Sequence, residues 1–391
     1  LLLTGSAGPG PHRLLFVVQL LMHAATIVLV VDLAGRVGVG RIGRAALAAL
    51  LVSPAVLLRV VYEGTEGLCA LLLTLIAWLL LTPWDPRHRL RRAIVLGACS
   101  GYAAMVRPTF TLLFVPVALL ALGPARRAAP APGTAPADHR GAGAAVLAAV
   151  ALPALVFVGG LSASNAIRFD SPGLTPLAPY HLSSRTSPYV ERLPRSYEPA
   201  RSVLIEARDR ALLRGESMAP ENFIWDARAD LAEATGLRGP ALDRYVMRID
   251  LELILHHPFD YLDTVKTSSV NYSNMDSQPA VQGLGVPLTW AQQAAHLVLL
   301  AAALGLWALV PGLGLVGLVD PVRARTLVVA LGLSAYTGVV SVMTETGTAR
   351  LRAPTEPLLA LALVVAAAIA RPALAGWLTR TRQVRDAGRN T

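Results

Sequence analysis

Apolar runs long enough to cross, or nearly cross, about 30 Å of hydrocarbon recur along this chain. They fall at roughly residues 14–31, 45–61, 66–82, 93–106, 109–123, 144–161, 290–311, 326–343 and 355–370. The pattern predicts an all-α fold, a polytopic transmembrane helix bundle of about nine spans. A long polar stretch, 163–288, separates the sixth run from the seventh. Within it apolar residues return at spacings of three and four over 197–214, 220–236 and 240–257, which predicts a mainly helical insert. His257-Pro258 interrupts that pattern, and Phe259-Asp260-Tyr261-Leu262 restarts it as a helix expected near the membrane surface. The chain therefore divides into a transmembrane bundle of six spans (1–162), the insert (163–288), C-terminal transmembrane helices (289–372) and a basic tail (373–391).

One stretch needs arbitration. Residues 93–122 would make a single helix about 45 Å long. Both flanks are rich in arginine, so a single crossing would leave one basic flank outside. Two short helices broken at Arg107-Pro108 return the chain to its starting side, and Pro108 supplies the break. A hairpin over 93–123 with Arg107 at its tip follows. Arginines then cluster after the first, third, fifth and seventh runs and in the tail, which makes every second loop cytoplasmic. Residue 1 and the insert are placed outside, and the C-terminus in the cytoplasm.

Composition agrees with the pattern. The chain is 54% hydrophobic and 15% charged, too apolar for a soluble domain. Its net charge of +10 does not point to nucleic acid, because the arginines lie scattered in short loops and Lys266 is the one lysine. Cys69 and Cys99 sit inside apolar runs and read as small buried hydrophobes. The sequence opens at Leu1 without Met or a signal-like start, and a span preceded by an external terminus predicts at least one further helix upstream.

With this parity Tyr62, Glu63, Glu66, Arg107, Glu345, Arg350 and Arg352 all share the outer rim. Ionisable groups beside hydrocarbon are costly, so their gathering marks the candidate site. Arg107 at a helix break suits a phosphate clamp, being a permanent cation with a planar fork of donors. Arg350 and Arg352 face one way if extended, and suit the same ligand or simple anchoring. Glu63 and Glu66 share a helical face, where they either support the rim or offset the helix dipole. Glu252, His256, His257 and Asp260 read as solvated residues of an amphipathic helix rather than a metal centre, and Asn271-Tyr272-Ser273 as a chance glycosylation pattern. His23 and Asp32, in or at the end of the first run, have no evident partner in sequence.

Three stretches carry a family resemblance: Ser53-Pro54 through Tyr62 to Thr65-Glu66-Gly67, Gly97 through Gly101 to Arg107-Pro108, and Ala349-Arg350-Leu351-Arg352-Ala353-Pro354 with Glu356-Pro357. Together with His257-Pro258-Phe259-Asp260-Tyr261-Leu262, they resemble the GT-C class of polytopic glycosyltransferases, which includes protein mannosyltransferases and aminoarabinose lipid A transferases. Gly67 stands where that family has Pro, and Leu351 where it has an aromatic residue. The resemblance implies inverting transfer of a sugar from a polyprenyl-phosphate donor to a lipid, glycan or protein acceptor of the cell envelope, outside the plasma membrane. It implies that Arg107, Arg350 and Arg352 hold the donor phosphate, with Tyr62, Glu63 and Glu66 supporting the rim. The family's catalytic acid lies in its first external loop, expected upstream of Leu1. No cofactor is assigned, and a divalent metal is left open. A non-catalytic scaffold for envelope assembly is the alternative, and a transporter is disfavoured because the charges gather at one rim and no repeat is visible.

Overall fold

The computed structural model describes residues 9–53, 56–57, 65–127, 139–214, 223–273, 320–345 and 352–387. All regular structure in them is helical. The bundle contains α1 (Pro9–Arg36), α2 (Arg41–Val52), α3 (Glu66–Leu81), α4 (Arg89–Val106), α5 (Phe114–Arg127), α6 (His139–Phe169), α12 (Pro321–Thr344) and α13 (Glu356–Ala387). The insert contains α7 (Ala178–Thr186), α8 (Ala200–Leu213), α9 (Ile224–Thr235), α10 (Gly239–His256) and α11 (Pro258–Ser273).

Among the described residues four helices are long and apolar enough to cross a membrane: Leu14–Arg36, Gly141–Phe169, Pro321–Thr344 and Ala353–Arg371. Glu66–Leu81 and Phe114–Gly123 are shorter apolar helices. The expected run at 290–311 lies outside the described residues, as does part of the run at 45–61. Helix α13 continues through the expected tail boundary to Ala387.

Helix α3 is apolar on every side, the pattern of a helix enclosed by others, and Leu73, Ile76, Ala77 and Leu80 are all buried. The peripheral helices instead leave large apolar side chains outward, Val28 on α1 and Val156 on α6 among them. Such surface is stable against acyl chains, not water.

Contacts fix the helix directions. A Cβ added at Gly97 would fall 2.1 Å from the Val150 carbonyl oxygen, and one at Gly101 would fall 2.8 Å from the Ala154 Cα. Helices α4 and α6 therefore run parallel, with two glycines one turn apart allowing backbone-to-backbone approach. A Cβ at Gly143 would meet the Leu122 side chain, which sets α5 antiparallel to both. The chain thus reverses at Arg107, whose backbone is extended (φ −142°, ψ 121°) ahead of the Pro108–Phe110 turn.

One end of the bundle collects arginines. Asp32 accepts from Arg36 at 2.7 Å and from the Trp78 indole at 2.8 Å, and Arg92 lies over the Trp78 and Trp84 rings. Arg323 donates to the Val37 carbonyl at 3.1 Å, and Arg325 donates to that of Leu80. His23 lies midway along α1 and is buried, its Nε2 donating to the Leu51 carbonyl at 2.9 Å. The opposite end holds the start of α3, the end of α4 and the end of α12, and α6 leads from it into the insert.

The insert has its own apolar core, including Tyr180, Leu204, Phe223, Ile224, Leu231, Val246, Ile249 and Leu253. Several of the buried polar groups inside it are paired. The Tyr180 hydroxyl donates to Asp243 at 2.8 Å, while Asp250 accepts from Ser183 at 2.9 Å and from Thr186 at 2.6 Å. Burial pushes the Asp250 carboxyl up to about 8, against the opposing effect of those two hydroxyls. Helix α11 joins the insert to the bundle: the Tyr261 hydroxyl donates to the Met343 carbonyl at 2.7 Å, and the Tyr272 ring packs against Gly338.

Candidate functional site at the insert-facing rim

Glu66 occupies the first turn of α3, where the unpaired amide groups of a helix start favour a carboxylate. Its side chain is 0% exposed, and Oε1 lies 3.3 Å from Arg107 Nη2, whose side chain is 13% exposed. Arg107 reaches it because Pro108 ends α4 at Val106 and turns the next residue out of the helix. Two residues on, the Thr109 hydroxyl donates to Glu345 Oε1 at 2.9 Å, tying the same turn to the end of α12. The Tyr336 hydroxyl donates to the Thr109 carbonyl at 3.0 Å, so both polar groups of Thr109 are engaged.

Arg352 is placed by the short Ala353–Thr355 turn, which packs against α3 and opens α13. It is 2% exposed. Its Nε lies 3.6 Å from Glu356 Oε1, Nη1 donates to the Tyr272 carbonyl, and the guanidinium carbon stands 5.9 Å from the Tyr272 ring centre. The Thr355 hydroxyl closes the turn onto the Arg352 carbonyl at 2.8 Å. Burial pushes the Tyr272 phenol up to about 12, while the positive charges of Arg352 and Arg107 both pull it down. The turn that carries Arg352 packs against the helix that Glu66 opens, which sets the two ion pairs on one rim.

Of the residues singled out in sequence, Glu66, Arg107 and Arg352 gather at this rim, with Glu345 beside them. Tyr62, Glu63 and Arg350 lie outside the described residues. Tyr272, Thr109 and Glu356 complete the cluster. Glu356 could have been found, since it follows Arg352 by one helical turn. Tyr272 and Thr109 carry no local signal, because each meets its partner across scores of residues.

Arg107 and Arg352 differ in what they offer a ligand. Arg107 spends one edge of its fork on Glu66 and keeps some exposure, so a phosphate oxygen can meet its remaining donors. Arg352 is enclosed by Glu356 and Tyr272, and reaching it requires α11 to move.

Elsewhere, His256 Nδ1 lies 3.0 Å from the Glu252 carbonyl, and His257 Nδ1 lies 3.8 Å from Asp260 Oδ2. Among the described residues no group of three or more His, Cys, Asp or Glu side chains is placed to hold a metal ion. No family model, curated protein or solved structure matches the chain.

Proposed function

We propose that the chain is a membrane glycosyltransferase that takes a sugar from a polyprenyl-phosphate donor to an envelope acceptor on the outer side of the plasma membrane. The observation that carries this reading is the Glu66–Arg107 pair, set at a helix break on the same rim as Arg352 and beneath the insert. An arginine held at a bilayer edge meets the height of a lipid phosphate, and the acyl-facing flanks of the bundle suit a polyprenyl tail. Arg107 binds the donor phosphate and offsets the negative charge that grows on it as the glycosidic bond breaks. Arg350 joins it, Arg352 supports the same rim from within, and Glu66 fixes the orientation of Arg107. Tyr62 and Glu63 belong to the segment that leads into α3. The acceptor hydroxyl needs a general base, and no described residue is assigned that role. The arginine-rich end then faces the cytoplasm and the insert faces outward, in a bundle of about nine crossings.

The test is binding of undecaprenyl phosphate to the full chain in detergent micelles, followed by native mass spectrometry with phosphatidylglycerol as competitor. Arg107→Lys keeps the charge but loses the bidentate fork, and weakens polyprenyl-phosphate binding by roughly 10-fold or more. Equal binding of both lipids, unaltered in Arg107→Lys, overturns the reading. A non-catalytic scaffold is the second reading. It is favoured by the enclosure of Arg352, since a guanidinium locked between Glu356 and Tyr272 also serves purely to hold the insert on the bundle.

A further inference from the structure

Helix α11 presents three faces. Tyr261, Ser268 and Tyr272 point inward, towards the insert and α12. Asp260, Asp263, Thr264, Lys266 and Thr267 line a groove with Pro188 and Tyr189. The third face is apolar and uncovered: Phe259 is 84% exposed, Leu262 55% and Val270 55%. The spacings of three and eight between them align these residues on one side of a helix. Leu251 and Leu255, near the end of α10, extend the exposed apolar surface past the His257-Pro258 bend.

The height of this face is set by its contacts. Tyr261 is bonded to Met343, next to the end of α12, while Tyr272 packs on Gly338, five residues or about 7.5 Å further down the same helix. Helix α11 therefore descends beside a membrane-crossing helix from its outer end. Val339 and Met343, exposed apolar residues of α12, continue the surface.

We infer that α11 is an interfacial membrane anchor, with Phe259, Leu262 and Val270 entering the boundary between headgroups and acyl chains. The occupant is the bilayer itself, argued from continuity with the lipid-facing side of α12. The anchor does not depend on the reaction proposed above. Its consequence is positional: the Asp260 and Asp263 face is held at the water boundary, beside the rim that carries Arg107.

The test uses the full chain carrying Cys69→Ala and Cys99→Ala, reconstituted into nanodiscs of phosphatidylethanolamine and phosphatidylglycerol. Single cysteines at positions 259, 262 and 244 receive a nitroxide label, and collision rates with oxygen and with a water-soluble nickel chelate are compared by electron paramagnetic resonance. Labels at 259 and 262 should collide severalfold more with oxygen relative to nickel than the label at 244. Nickel-dominated collisions at 259 and 262 put the face in water and overturn the inference. Shelter from both reagents overturns it equally, since that means a protein surface covers the face. The positions are exposed, so labelling leaves the core intact, and two independent apolar positions guard against failure of either variant.

Discussion

The Glu66–Arg107 pair makes a quantitative claim. At 3.3 Å the two charges attract by about 5 kcal/mol if the effective dielectric constant is about 20, a value suited to a site with Arg107 still partly exposed. Desolvation of both groups cancels much of that, so the intact pair adds little net stability. Removing one partner is different, because the other charge stays at a site it can no longer afford. Glu66→Gln and Arg107→Gln should each destabilise the bundle by about 3 kcal/mol, with 3–5 typical of a broken buried pair. The double variant should lose far less than the sum, giving a coupling of about 2–4 kcal/mol. The assay is equilibrium unfolding in dodecyl maltoside micelles titrated with dodecyl sulfate, followed by circular dichroism for the wild type and three variants. Strict additivity, or single variants within about 0.5 kcal/mol of wild type, would refute both the ion pair and the rim built on it.

Three further outcomes follow from particular contacts. Asp250 titrates near 8 in the fold against 3.8 in the unfolded chain, so between these values the native state holds a proton that the unfolded state has released. Stability of the insert must therefore fall as pH rises from about 4 to about 8, and Asp250→Asn should flatten the slope of melting temperature against pH; a slope unaltered by the substitution counts against the buried acid. Gly97→Ala sets a methyl group against the Val150 carbonyl and should cost about 1–3 kcal/mol in the same dodecyl sulfate titration, whereas Gly123→Ala, with nothing within 4 Å of its Cβ, should cost nothing. Equal effects at the two glycines would mean that α4 and α6 do not touch there. Tyr261→Phe removes the hydroxyl that holds α11 to Met343 and should raise phenylglyoxal labelling of Arg352 while leaving Arg107 unaffected, with a parallel rise at both arginines as the contrary result.

The helical class and the membrane-crossing character are legible in sequence because both depend on local composition. A helix such as α3 shows its burial in an unbroken apolar run, and the end of α4 is written in Pro108, which acts on its immediate neighbour. In the insert, α8, α9 and α10 carry the three-and-four spacing of a one-sided core. Helix α7 shows no such stripe, because its last turn is buried on nearly all sides and is built from Ser183, Ser184, Arg185 and Thr186, each of them hydrogen-bonded. The same limit applies at the rim. Thr109 meets Glu345 only after the chain has crossed the whole insert, and no periodicity encodes that meeting. Gly97 and Gly101 are visible as small residues, but the helix that fills the space they leave is set by tertiary packing.

The two ion pairs at the rim are held by different parts of the molecule. Glu66 and Arg107 belong to α3 and to the turn after α4, and the tie from Thr109 to Glu345 adds α12, so this pair rests on the bundle alone. Arg352 and Glu356 share the start of α13, yet Arg352 is closed off by a carbonyl and a ring from α11. A displacement of the insert therefore leaves the first pair in place and alters only the second. Because α11 is fixed at Tyr261 and again at Tyr272, it cannot shift at one end without loading the other, and any motion of the insert is delivered to the guanidinium of Arg352.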